Sequence, residues 1–107
     1  MVKFNLQKFR SANSKIYSGR DNGIAARKEL RLNEFDKNNE TAFVIFPKDT
    51  WAINSSFFGG LFESSVMSLR EDKFRQKYVF QFDNGNELSP ELMENINQGI
   101  FDALNEI

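Results

Sequence analysis

A chain of 107 residues lies within the usual size of one domain, and its 40% of hydrophobic residues, twelve Phe among them, supplies enough apolar bulk for one core but not for two. A formal net charge of −1 gives no whole-molecule attraction to nucleic acid or to an anionic membrane. The lack of Cys and His removes disulfides, thiolate chemistry, most zinc sites and the commonest general base, so no metal, cofactor or catalytic residue is expected.

Val2, Phe4 and Leu6 alternate with Lys3, Asn5 and Gln7, the period of a half-buried strand. The same alternation stands where a signal peptide would carry an apolar run, and no apolar run approaches membrane-spanning length. With the lack of Cys, this fits a reducing cytoplasm and no membrane partner. Residues 10 to 18 are polar and read as loop, with Lys15-Ile16-Tyr17 as a short second strand. Ser18-Gly19-Arg20-Asp21-Asn22-Gly23 carries turn and helix-capping residues, which predicts a first helix over 21 to 31.

Asp36 to Glu40 is a polar loop, and Thr41-Ala42-Phe43-Val44-Ile45-Phe46 is a continuous apolar run suited to a buried central strand, stopped by Pro47. Trp51-Ala52-Ile53 reads as an extended return to Asn54-Ser55-Ser56, three residues that favour a helix N-cap. From there Phe58, Leu61, Phe62, Ser65, Val66 and Leu69 fall at helical spacing and predict a second helix. Arg70, Lys73, Arg75 and Lys77 form a basic cluster after it, with Phe74 and Tyr78 interleaved. Basic and aromatic residues together can hold single-stranded nucleic acid, but both rings are expected to turn inward, and nucleic acid is not an expected partner. Tyr78, Phe80 and Phe82 alternate as a further strand, Asp83-Asn84-Gly85-Asn86 is a turn, and Ser89-Pro90 opens a last helix whose stripe is Leu92, Ile96, Gly99, Ile100, Ala103, Leu104 and Ile107.

Strands alternating with helices predict one α/β domain over 1 to 107, a small mixed or parallel sheet with about three helices packed on it. All fourteen Lys and Arg lie at or before Lys77, and six acids follow it, so the first 77 residues sum to +5 and the rest to −6. Such a dipole either presents a basic face or neutralises itself by packing the tail beside the basic helices.

Functional edges of such folds lie where strands end and helices begin, which singles out Ser18 to Gly23 and Asn54 to Gly60. A hydroxyl at a helix N-terminus lies among free N–H groups at the positive end of the dipole, so phosphate on Ser55 or Ser56 would be stabilised there; the plainer reading is an ordinary N-cap. Ser18, Gly19, Arg20 and Arg27 could form an anion site, although neither a Walker loop nor a dinucleotide fingerprint is present. The plainer reading is a capped turn with Arg27 paired to an acid such as Glu34. Asp49, Glu63, Asp83 and Glu87 could meet at one sheet edge, without any spacing that marks an acid/base couple.

The strand 41 to 46, Trp51-Ala52-Ile53, Asn54-Ser55-Ser56 and the helix opening Phe57-Phe58-Gly59-Gly60-Leu61 resemble the centre of the STAS fold of bacterial anti-sigma-factor antagonists. Those proteins carry Asp-Ser-Ser or Asp-Ser-Thr at this corner, followed by Gly-Leu-Gly, and a partner kinase phosphorylates the first hydroxyl after the Asp. By position Ser55 matches that hydroxyl and Asn54 stands where the Asp would be. Asn54 thus removes a carboxylate, and Phe57-Phe58 replaces the small residue that opens the family's helix. The chain is more similar to the STAS-like family of unknown function, through Ser18-Gly19-Arg20, Gly23, Arg27, the apolar strand, Ser56-Phe57 and Leu61-Phe62. Members of that family often occur beside or fused to histidine-kinase-like ATPases. The resemblance implies a non-enzymatic regulatory module with a kinase-like ATPase as protein partner, Ser55 and Ser56 as phospho-switch candidates, and Asn54, Phe57 and Gly59 on the partner-binding surface. The alternative is a small-ligand or nucleotide sensor built on Ser18 to Arg27.

Overall fold

The computed structural model describes residues 2–10 and 14–105. Ile107, assigned to the last helical stripe, lies outside them. Along the chain run β1 (Val2–Asn5), β2 (Ile16–Tyr17), α1 (Arg20–Leu30), α2 (Leu32–Phe35), β3 (Ala42–Phe46), β4 (Ala52–Ile53), α3 (Ser55–Lys77), β5 (Tyr78–Phe82) and α4 (Pro90–Leu104), with a short 3-10 turn at Gln7–Phe9. The result is an α/β fold with four helices on a small parallel sheet. The extra helix is α2, which arises because Arg31 takes the left-handed conformation (φ 56°) and ends α1 one residue before Leu32 and Phe35 turn back into the core.

The strands form two parallel sets instead of one sheet: β1-β3-β5, with Ala42 beside Val2 and Tyr78, and β2-β4, with Ile16 beside Ala52. The apolar run 42 to 46 is the central strand. Its pleat sends Ala42, Val44 and Phe46 into the core with Tyr78, and brings Phe80 and Phe82 against that core. Phe62 of α3 is the hub of the aromatic packing, its ring 5.0 to 5.8 Å from those of Phe58, Phe74, Tyr78 and Phe80. Edge-on contacts of this kind add to the area that each ring removes from water.

The second helix is longer than its apolar stripe indicates. It runs from Ser55 to Lys77 but is broken at Arg70, whose φ of 67° and ψ of 171° belong to a region that side chains other than glycine rarely enter. The basic cluster therefore rides on the helix's final turns. Within it Phe74 and Lys77 are buried, as is Tyr78, which leaves no interleaved ring exposed. The Lys77 ammonium donates to Asn38 O (2.6 Å), Asn38 Oδ1 (2.8 Å) and Glu40 O (2.9 Å) and lies over the Phe35 ring, so it fastens the loop before β3. Burial lowers its pKa.

Helices α1 and α3 cross in backbone contact. A Cβ at Gly23 would run into the Phe57 carbonyl, and one at Gly60 into the Arg20 carbonyl. Both strand-to-helix segments are thereby held at one place.

Candidate functional site

The start of α1 is set by Gly19, whose φ of 92° only glycine adopts without strain, and Asn22 Nδ2 donates to Ser18 O (2.9 Å) across the turn. The start of α3 follows Asn54, which sits in extended conformation and whose backbone N–H donates to Tyr17 O (2.8 Å). Asn54 is thus the cap residue, and its side chain makes no capping bond. Ser55 and Ser56 occupy the first two helical positions instead of the cap, both exposed. The first turn's intrahelical bonding begins with Phe58 N–H on Asn54 O (2.9 Å). Among the described residues, no protein acceptor meets the N–H groups of Ser55, Ser56 and Phe57, which gives this corner the positive partial charge of an uncapped helix start.

A cavity of about 300 Å³ opens on that corner. Its wall is made by Arg20 from α1, by Ser55, Ser56, Gly59 and Glu63 from α3, and by Gly99, Asp102 and Ala103 from α4. Arg20 pairs with Glu63 across it. Gly59 is what lets the Arg20 guanidinium lie flat on α3, since a Cβ there would stand 2.8 Å from Nη1. Gly99 does the same for the Phe58 ring under α4. Asp102 accepts from Gln98 (2.9 Å) on its own helix.

The two segments singled out in the sequence thus meet in one cavity, through Arg20 on one side and Ser55, Ser56 and Gly59 on the other. Other expectations are corrected. Phe57, expected on the partner-binding surface, is fully buried against the Tyr17 ring at 5.2 Å and cannot touch a partner. Arg27 does not join Arg20 in an anion site, and its acid is Asp36 in place of Glu34. Arg27 Nη2 donates to Asp36 Oδ2 (3.0 Å), Nη1 to Leu61 O (2.9 Å) and Ser65 Oγ (2.7 Å), and Nε to Asn33 Oδ1 (3.0 Å). Ser65 Oγ donates to the same carboxylate oxygen (2.5 Å), and Tyr78 donates to the other. Burial, then this bond to Asp36, pushes the Tyr78 hydroxyl's pKa up. Asp49 accepts from Arg10 (2.6 Å), which lowers its carboxyl's pKa, and among the described residues no three acids gather in a metal-binding arrangement.

The sequence reading grouped Glu63 with Asp49, Asp83 and Glu87 instead of with Arg20, and assigned neither Gly99 nor Asp102 to a site. Glu63 was within reach of it: Ser56, Gly59 and Glu63 repeat at three- and four-residue spacing, a polar stripe beside the apolar one. Gly99 and Asp102 depend on how α4 lies on α3, which no local pattern encodes. Among the described residues no helix is long and apolar enough to cross a membrane. Comparison with protein-family models, with curated proteins and with solved structures finds no match, so the STAS resemblance rests on the residues quoted above.

Proposed function

We propose that this domain is a non-enzymatic, STAS-like regulatory module that docks a protein partner, of the histidine-kinase-like ATPase class, on the corner where α1 and α3 begin, and is switched by phosphorylation at Ser55 or Ser56. The observation that carries this reading is the convergence of both strand-to-helix segments on one cavity whose rim holds two exposed hydroxyls beside an uncapped helix start. A phosphoryl group on Ser55 would bring close to two negative charges to three N–H groups that have no protein acceptor among the described residues, and would compete with Glu63 for the Arg20 guanidinium. The partner would meet a corner made more negative by close to two charges, with Asn54 and Gly59 at its edge.

The test is co-purification and phosphate incorporation with a kinase-like ATPase, using wild type, Ser55→Ala and Ser55→Asp. The expected result is a complex with wild type and with Ser55→Ala, loss of phosphorylation in Ser55→Ala, and a weakened complex with Ser55→Asp. Absence of any complex, with all three proteins alike, defeats the reading. The nucleotide-sensor alternative has lost one of its two charged forks, because Arg27 is committed to Asp36.

A further inference from the structure

Among the described residues, the only non-glycine positions with positive φ are two arginines, Arg31 (φ 56°) and Arg70 (φ 67°). Arg31 stands where α1 ends, in the left-handed position that glycine most often fills. Arg70, with a ψ of 171°, breaks α3 in a region that belongs almost to glycine alone. A side chain at either position costs stability that glycine would spare, so both carry arginine against the preference of their own backbone. Both side chains are exposed, and core packing therefore gives no reason for them.

The two arginines stand at opposite ends of one groove. A cavity of about 640 Å³, walled by Lys28, Arg31 and Glu34, shares Arg27 and Asn33 with a cavity of about 430 Å³ that reaches Ser64 and Ser68 on α3. The latter shares Lys37 and Leu69 with a third of about 350 Å³, and Leu69 and Lys73 lead from there to the surface around Arg70. Lys28, Arg31, Lys37, Arg70 and Lys73 are exposed along this path, and among the described residues no carboxylate pairs with any of them. Arg75 and Lys77 do not belong to the set, since Arg75 is paired with Glu71 and Lys77 is buried on Asn38 and Glu40. The acids that follow Lys77 leave the groove uncompensated: none of Asp83, Glu87, Glu91, Glu94 and Asp102 pairs with a cation among the described residues. The chain's charge asymmetry is thus presented as a basic face instead of being neutralised within the fold.

We propose that this groove holds an acidic, carboxylate-rich segment of a protein partner. Arg31 and Arg70 receive carboxylates in two-pronged hydrogen bonds at its two ends, and Lys28, Lys37 and Lys73 act as point charges along it. A single-stranded nucleic acid fits less well, because Phe74 and Tyr78 are buried and no ring is left in the basic stretch for bases to stack on. Glu34, Glu40 and Asp72 also interrupt the groove, which a continuous phosphate backbone must pass and a peptide of mixed composition need not oppose. The acids of a second copy lie partly on the folded helix α4, and a rigid helix cannot follow a path that turns from α1 past α2 to α3. The groove shares no lining residue with the cavity around Ser55, so it stands or falls independently of the switch proposed there.

The test uses a fluorescent oligoglutamate peptide and an oligothymidylate of equal charge as probes, read by anisotropy, with urea denaturation of each variant alongside. Wild type should bind the peptide more tightly than the oligonucleotide, and added salt should weaken that binding. Arg31→Gly and Arg70→Gly should each weaken peptide binding by about tenfold while their denaturation midpoints stay level or rise, since glycine suits both backbones. That opposition of lost binding to kept stability is what a merely structural arginine would not give. Lys3→Ala, which removes the same charge from β1 outside the groove, should bind as wild type does. No peptide binding by wild type overturns the proposal, as do glycine variants that bind undiminished, an equal loss in Lys3→Ala, or tighter binding of the oligonucleotide. Salt-sensitive self-association of the purified chain that Arg31→Gly and Arg70→Gly abolish would overturn it in favour of a second copy as the occupant.

Discussion

Arg20 and Arg27 stand two turns apart on nearly the same face of α1, and both reach across to α3, yet they belong to different kinds of region. The Arg20 side chain is 52% exposed and pairs with Glu63 at the mouth of a cavity. Arg27 is 12% exposed and its partner Asp36 8%, and between them Arg27, Asp36, Ser65 and Tyr78 satisfy one another inside the protein. The same side chain at the same helical phase serves as a surface group in one place and as a structural tie in the other. Depth at the helix crossing decides which.

The comparison is most sharply tested by removing one carboxylate. Asp36→Ala leaves a guanidinium, a phenol and a serine hydroxyl facing one another without the buried carboxylate that accepts from all three, and should destabilise the fold by about 3 to 5 kcal/mol in urea denaturation. Gly60→Ala attacks the pivot between the two arginines, where a methyl group meets the Arg20 carbonyl, and should lose about 2 kcal/mol by overpacking in the same measurement.

The buried parts of the molecule also carry a pH edge. The pKa values of Tyr17 and Tyr78 are raised by burial, so the folded state holds their protons after the unfolded chain begins to release them. Their contribution is complete below about pH 10, the ordinary tyrosine value, and is lost as pH rises above it. Lys77, lowered by burial, acts with the opposite sign just below its own ordinary value. Denaturation midpoints should therefore fall from about pH 10 upward, with tyrosinate absorbance appearing together with unfolding instead of before it.

What was legible in the sequence was local. The continuous run 42 to 46 marked the central strand, and Ser89-Pro90 marked a helix start that the structure builds as read, with Ser89 Oγ accepting from Leu92 N–H (3.3 Å). Fold class alone singled out the two strand-to-helix segments, while their meeting in one cavity came from the crossing of α1 and α3. The rest needed tertiary information. Nothing near Arg27 distinguishes Asp36 from Glu34 as its partner, because the choice depends on α2 turning the chain at Arg31. The continuation of α3 beyond Leu69 was hidden by the backbone at Arg70, after which the apolar stripe resumes at Phe74 in a new phase. The resemblance puts Phe57 on the partner-binding surface, but the residue is fully buried under the corner where β2 and β4 end.

The exposed half of the comparison yields the small effects. Arg20→Ala breaks the pair with Glu63, and because the arginine is half exposed and screened by solvent, the loss should be only about 0.5 kcal/mol, several-fold below that of Asp36→Ala. An effect as large as the buried one would erase the distinction between the two arginines.

The smallest effect belongs to the serines, and a second helix start supplies its control. Ser89 caps α4 with its hydroxyl, so Ser89→Ala should lose about 1 kcal/mol. Ser55 and Ser56 lie inside the first turn of α3, and neither hydroxyl caps it, so Ser55→Ala and Ser56→Ala should each stay within about 0.5 kcal/mol of wild type. Alanine is in fact the better helix former at those positions, which places any change on the side of a slight gain. The three variants measured together in urea separate a hydroxyl that holds a helix from hydroxyls that the helix does not need. If Ser55→Ala matches Ser89→Ala in its loss, the corner is a structural cap in solution, and the argument that its hydroxyls are free for a partner's chemistry falls with it.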